Sequence, residues 1–120
     1  MEYNLQGVDV EISSEVRSYL DKKLIHTEKL LSGTSIHTLD IHLVHETGAA
    51  ATTYEVSFKL LGNKKTIYAT AEGSTLHEAI DLTAAEFDRE VARFKKKELR
   101  SLRSHAARIK DFFRGFRRRP

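Results

Sequence analysis

The chain has 120 residues, 40% hydrophobic and 31% charged, with one proline and no cysteine. That suits one domain around one core and excludes disulfides, thiol catalysis and thiolate zinc sites. The net charge of +3 is unevenly spread, since residues 89–120 hold 13 basic against 3 acidic residues while residues 1–88 stand at −7; the basic third suits a polyanionic partner. No run approaches the roughly 20 apolar residues of a membrane span, and the opening MEYNLQ lacks the basic and apolar regions of a secretory signal, so a cytoplasmic protein is expected.

In chain order, EYNLQGVDV at residues 2–10 alternates Tyr3 and Leu5 with polar neighbours and then meets Gly7, which predicts a first strand ending in a turn or bulge. Ser13 and Ser14 offer N-caps to a helix running to Leu31, with Ser32-Gly33 as its stop and the glycine suited to a left-handed cap. At about 100° per residue, Val16, Tyr19, Leu20, Leu24, Thr27, Leu30 and Leu31 form its apolar stripe, whereas Ser18, Lys22, Ile25 and Lys29 point away. Arg17 flanks the stripe. Lys23 falls inside it, as expected of a stem lying over the core edge with its ammonium reaching water.

Three period-2 runs follow: Leu39, Ile41 and Leu43; Tyr54, Val56, Phe58 and Leu60; Ile67, Ala69 and Ala71. They predict an antiparallel meander with short loops at residues 46–51 and 62–64, one polar face, and two helices over the other. Thr75 followed by Glu78 has the spacing of a capping box and starts a second helix. Leu76, Ala79, Ile80, Thr83, Ala84, Phe87, Val91 and Phe94 form its core stripe, and its early acidic residues suit the positive end of the helix dipole. The predicted fold is α+β, in the order β-α-β-β-β-α, with a four-stranded sheet and two helices packed on one face.

Beyond Lys97, the residues Leu99, Leu102, Ala106, Ile109, Phe113 and Phe116 keep spacings of three and four, with no strong breaker before Gly115. Either the second helix runs on as a long basic arm, or a joint near residues 101–105 separates another amphipathic piece. We therefore divide the chain into a domain at 1–98 and a basic amphipathic extension at 99–120. Phe112, Phe113 and Phe116 among arginines suit a membrane surface, a partner groove, stacking on RNA, or packing back onto the domain.

Arg89, Arg93, Lys96 and Arg100 are spaced four, three and four, so they line one solvent face of the second helix with few acidic partners, and Lys95 and Lys97 widen the row. A row of this kind tracks phosphates, and RFRRRP closes the chain with more charge. With no RNP aromatic motif and no zinc-finger spacing, contacts to phosphate and shape are expected rather than base reading. The six histidines show no metal template, and His37, His42 and His45, on or beside one strand, are expected to face solvent or RNA. No nucleophile elbow, P-loop or dinucleotide fingerprint is present, and Asp88 and Glu90 point to different helix faces, so neither an enzyme, a cofactor nor a small-molecule substrate is expected.

NLQGVDVEISSEVRSYLDKKL near the start and YATAEGSTLHEAID before the last helix resemble the ribosome hibernation-promoting factor family, which includes the ribosome-associated inhibitor and the sigma-54 modulators. The resemblance spans residues 1–97, and its most specific pieces are the G-x-x-V/D-E-I-S/T segment with Arg17 following and A-x-A-E-G-x-x-x-x-x-A-I-D at 69–81. It implies a domain that binds the small ribosomal subunit between head and body and blocks mRNA and tRNA by occupying the decoding region, as in hibernation under stress. By position it carries ribosomal RNA contacts onto Arg17 and Lys23 of the first helix and Arg89, Arg93, Lys95 and Lys97 of the second. Lys22, Lys29, Lys96 and Arg100 complete the expected RNA-binding set. The chain departs from that pattern at His26 and Glu86, where lysines are common, and Lys96, Arg100 and Arg103 are expected to compensate. Residues 98–120 are too few for the ribosome-pairing domain of longer members, so the chain resembles a short form, its tail expected in the mRNA channel or on a protein partner. The alternatives are a general RNA-binding module and a protein that works through its tail.

Overall fold

The structure is a computed structural model that describes residues 2–32, 38–48, 51–62 and 65–100 in full, and the helical backbone of residues 101–117. Its elements are β1 (Asn4–Val8), α1 (Ser14–Leu31), β2 (Thr38–Thr47), β3 (Thr52–Leu61), β4 (Thr66–Gly73) and α2 (Leu76–Arg117). The four strands form one sheet in the order β1-β2-β3-β4. β2, β3 and β4 are the expected antiparallel meander, while β1 runs parallel to β2, with Leu5 opposite Ile41. That parallel pairing follows from α1, which carries the chain back across one sheet face so that β2 starts at the same end as β1.

Alternation decides which face is covered. Leu39, Ile41 and Leu43 of β2, Val56, Phe58 and Leu60 of β3, and Ile67 and Ala69 of β4 are buried, and their neighbours in sequence point the other way. Val16, Leu20, Leu24 and Leu31 of α1 and Ala79, Ile80, Ala84, Phe87 and Val91 of α2 close the same core. Phe58 and Phe87 meet edge to face with centroids 5.6 Å apart, a geometry that adds to their burial. Thr83 is buried without penalty because the single proton of its hydroxyl lies between two acceptors, the carbonyls of Ala79 (2.7 Å) and Val56 (3.0 Å), tying α2 to β3.

The helix ends show the local chemistry. The Ser13 hydroxyl accepts from the Val16 N–H at 3.2 Å and caps α1, which ends at Ser32, whose N–H returns to the Lys29 carbonyl; Gly33 lies outside the described residues. At α2 the Thr75 hydroxyl accepts from the Glu78 N–H at 3.1 Å, as predicted, but the other half of the box differs. The Glu78 carboxylate accepts from the Ser74 hydroxyl at 2.8 Å, a partner one residue nearer the sheet.

Gly7 also departs from expectation. β1 runs straight through it, paired with Leu43, and the turn follows at Asp9, whose φ is 54°. Glycine is needed because a Cβ at this position would sit 2.9 Å from the Val10 carbonyl oxygen, with Ile12 filling the apolar space instead.

α2 settles the open question about the C-terminal segment, since its backbone is helical without a break through Arg117. Its 42 residues span about 63 Å at about 1.5 Å per residue. The molecule measures 78 × 29 × 19 Å, its long dimension reflecting an α2 that outruns the sheet. Among the described residues no helix is long and apolar enough to cross a membrane.

Candidate nucleic-acid interface

α1 and α2 lie side by side and parallel: Tyr19 meets His77 and Asp81, and Thr27, two turns later, meets Asp88. With their apolar stripes on the sheet, both helices turn their opposite faces outward, and most of the predicted cations stand there. Lys22 and Lys29 are exposed on α1 around Ile25, itself 53% exposed. Arg89, Arg93, Lys96 and Arg100 are exposed along the back of α2, Lys97 is exposed beside them, and Lys95 is half-buried toward the α1 side.

Two predicted residues stand apart from that outer face. Arg17 is exposed on the flank of α1 toward β1, where it lines shallow grooves with Tyr3, Asn4 and Gln6. Lys23 faces α2 on the other flank, and its ammonium, expected to reach water, pairs with Asp81 at 3.0 Å and sits 5.6 Å from the Tyr19 ring centroid. The Tyr19 hydroxyl donates to the same Asp81 oxygen, so one carboxylate ties two successive turns of α1. Burial alone would push the Asp81 carboxyl up, but the Tyr19 and Lys23 hydrogen bonds outweigh it and hold the group below the usual carboxylate range. Its own hydrogen bond to Asp81 raises Lys23, and that of the Tyr19 hydroxyl to Asp81 raises Tyr19 with help from burial.

The α2 row has more acidic partners than its spacing suggested. The Arg89 guanidinium lies 2.6 Å from the Glu86 carboxylate and that of Arg93 lies 2.8 Å from Glu90, both three residues back on the helix. That spacing is legible in the sequence, because residues three apart neighbour each other on a helix. Among the described residues, Arg17, Lys22, Lys29, Lys95, Lys96, Lys97 and Arg100 form no ion pair.

The uncovered sheet face has the opposite character. Tyr68, Ser57, Thr70 and Glu55 form a hydroxyl chain across β3 and β4, with successive links of 3.4, 3.2 and 3.4 Å. Glu46, Glu55 and Glu72 bring three carboxylates within 4.8 Å of one another there, a set of oxygen donors of the kind hard cations accept. These three carboxylates make that part of the sheet face unfavourable to anions.

Of the three histidines on or beside β2, His42 is exposed as expected and His37 lies outside the described residues. His45 points inward instead. It stacks on Tyr54 at 4.5 Å and 8°, with its Nε2 buried and without a hydrogen-bond partner, because position 45 shares the inward parity of Leu39, Ile41 and Leu43.

Solved structures share this fold, among them the following two. A ribosomal subunit interface protein from Coxiella burnetii superposes with a TM-score of 0.64 at 21% identity, over 80% of this chain and 99% of its own. The N-terminal domain of Protein Y from Thermus thermophilus does so with a TM-score of 0.55 at 25% identity, over 77% of this chain and 96% of its own. A search of curated proteins finds no match. The family model described as sigma 54 modulation protein / S30EA ribosomal protein matches residues 3–98, which hold the four strands, α1 and the first half of α2. The chain belongs to that family.

Proposed function

We propose that this protein is a ribosome hibernation factor that docks on the small ribosomal subunit near the decoding region and silences translation by occupying the path of mRNA and tRNA. The observation that carries this reading is the segregation of charge. The exposed cations of α1 and α2 share one side of the molecule, and the Glu46, Glu55 and Glu72 carboxylates stand on the other. Membership of the family and the subunit interface protein with the same fold support a ribosomal partner.

The mechanism needs no reacting group. Lys22 and Lys29 on α1 and Arg89, Arg93, Lys96 and Arg100 on α2 replace condensed counterions on ribosomal RNA, with Arg17 and Lys23 at the flanks and Lys95 and Lys97 widening the row. Arginines in such a row take phosphate oxygens bidentately, and lysines act as point charges. The domain then stands where mRNA and tRNA would, and the helical arm extends the basic track toward the mRNA channel. The cytoplasm is where such a protein works.

Sedimentation with purified small subunits at two salt concentrations tests this. A protein making about 6–10 phosphate contacts loses about 10³–10⁵ in affinity between 50 and 200 mM salt. Exchanging Arg89, Arg93 and Lys96 for glutamate is expected to abolish co-sedimentation, and a variant that still binds as the parent does would remove this surface from the account. Equal affinity for arbitrary duplex RNA and for intact subunits would favour a general RNA-binding module, the reading consistent with a face that has cations but no base-reading motif.

A further inference from the structure

Asp81 and Asp88 are the two carboxylates on the α1 side of α2, where charge alone would have them weaken any phosphate-binding face. We propose that they are positioning residues for that face: they fix the rotation and register of α1 against α2, so that the cations on the two helices present one surface. The proposal rests on the ribosomal reading above and adds to it a role for residues that touch no RNA.

Apolar packing cannot supply this constraint by itself. Leu20 and Leu24 hold α1 on the sheet through non-directional contacts that tolerate a small roll or slide of the helix. The seam between the helices is directional. Tyr19 and Lys23, one turn apart on α1, converge on a single oxygen of Asp81. Thr27, one turn further, donates at 2.5 Å to Asp88, two turns along α2. The His77 ring packs edge-on against Tyr19 at 4.3 Å and closes the near end. Three successive turns of α1 are thus pinned to two carboxylates seven residues apart.

The lever arm makes this matter for binding. Lys22 and Lys29 lie on the face of α1 away from the core, about 5–6 Å from the helix axis. A roll of about 20° would carry each by about 2 Å, enough to lose a charge-assisted hydrogen bond whose length is set within a few tenths of an ångström. A simple array of charges gains from losing either carboxylate, whereas a positioned one loses, so the sign of the effect separates the two.

The test compares two double variants that each remove two negative charges from α2. Asp81→Ala/Asp88→Ala is expected to weaken binding to small subunits about tenfold through lost preorganisation, while Glu86→Gln/Glu90→Gln strengthens it. If the first pair, folded by circular dichroism, binds as tightly as the parent or tighter, the proposal is overturned. Should that pair fail to fold, Tyr19→Phe/Thr27→Val keeps every charge and nearly every atom while breaking both hydroxyl links. A loss of about two- to fivefold with an unchanged salt slope is expected for it, and parental affinity would equally overturn the proposal. The ribosomal reading fails separately, through parental binding by Lys96→Glu/Arg100→Glu, whose residues lie outside the seam.

Discussion

Neutralising the two glutamates that mask the α2 arginines should tighten ribosome binding. Glu86 and Glu90 each hold the guanidinium three residues on, at 2.6 and 2.8 Å, and the side chains of Arg89 and Arg93 are 66% and 70% exposed. A phosphate that approaches either arginine competes with its carboxylate for the guanidinium donors and meets its negative charge. Exposed pairs are worth about 0.2–1 kcal/mol each, so removing both in Glu86→Gln/Glu90→Gln releases about 0.4–2 kcal/mol, a gain of about 2- to 30-fold in affinity. The measurement is the dissociation constant for small subunits as a function of salt. The gain should shrink as the Debye length falls from about 30 Å at 0.01 M to about 8 Å at 0.15 M. The fold serves as its own control, because pairs of this spacing contribute only about 0.2–0.5 kcal/mol to a helix and the melting temperature should barely move. Unchanged or weaker binding at low salt would refute the reasoning, since Arg89 and Arg93 would then not be exchanging their carboxylates for phosphates.

Gly73→Ala should destabilise the domain by about 1–3 kcal/mol, as overpacking does, read as a lower urea midpoint, because its Cβ would lie 2.7 Å from the Ala79 nitrogen and 3.1 Å from the Glu78 Cβ at the start of α2. On acidification, Asp81, held below its ordinary 3.8, contributes stability that is full above that value and is lost as pH falls through the folded one, so Asp81→Asn should flatten the acid limb of stability against pH. At the alkaline end, burial and the hydrogen bond to Asp21 push Tyr3 up to about 12 from 10.0; its contribution is full below 10 and fades as pH rises through about 12, so Tyr3→Phe should flatten that limb. Ending the chain after Arg100 should leave the melting temperature close to the parent's, because among the described residues the last buried side chain of α2 is Val91, with Phe94 packed against the core, while subunit affinity and its salt slope both fall with the loss of the arm's cations.

What the sequence discloses depends on whether a residue's partner lies near it in the chain. The stripes of α1 and α2 and the alternation of β2, β3 and β4 are local periodicities, and each predicted core position on α2 from Ala79 to Val91 is buried. The Glu86–Arg89 and Glu90–Arg93 pairs are equally local, and counting three residues back would have found them. Asp81 is different. It reads as an acidic residue suiting a helix start, yet its partners Tyr19 and Lys23 lie some sixty positions earlier and meet it only because α1 and α2 run parallel on one sheet face. His45 escaped for a related reason, since the parity that turns it inward belongs to β2, while a lone polar side chain at a strand end reads as solvent-facing.

The reversal of charge along α2 takes its meaning from those partners. Its early turns carry Glu78, Asp81, Glu86, Asp88 and Glu90, and all five are engaged, by Ser74, by Tyr19 and Lys23, by Arg89, by Thr27 and by Arg93 respectively. The acidic half is thus consumed inside the domain, in capping, in the seam between helices and in pairs along the surface. Among the described residues of α2, cations without ion pairs begin just after Phe94, on whose ring Lys65 rests at 5.3 Å. Lys96, Lys97 and Arg100 meet a phosphate with no carboxylate paired to them, whereas at Arg89 and Arg93 the phosphate competes with a carboxylate already in place. Single alanine substitutions should therefore cost more affinity at Lys96 and Arg100 than at Arg89 and Arg93 when subunit binding is measured at low salt, and the reverse order would place the centre of the interface back on the domain rather than at the root of its arm.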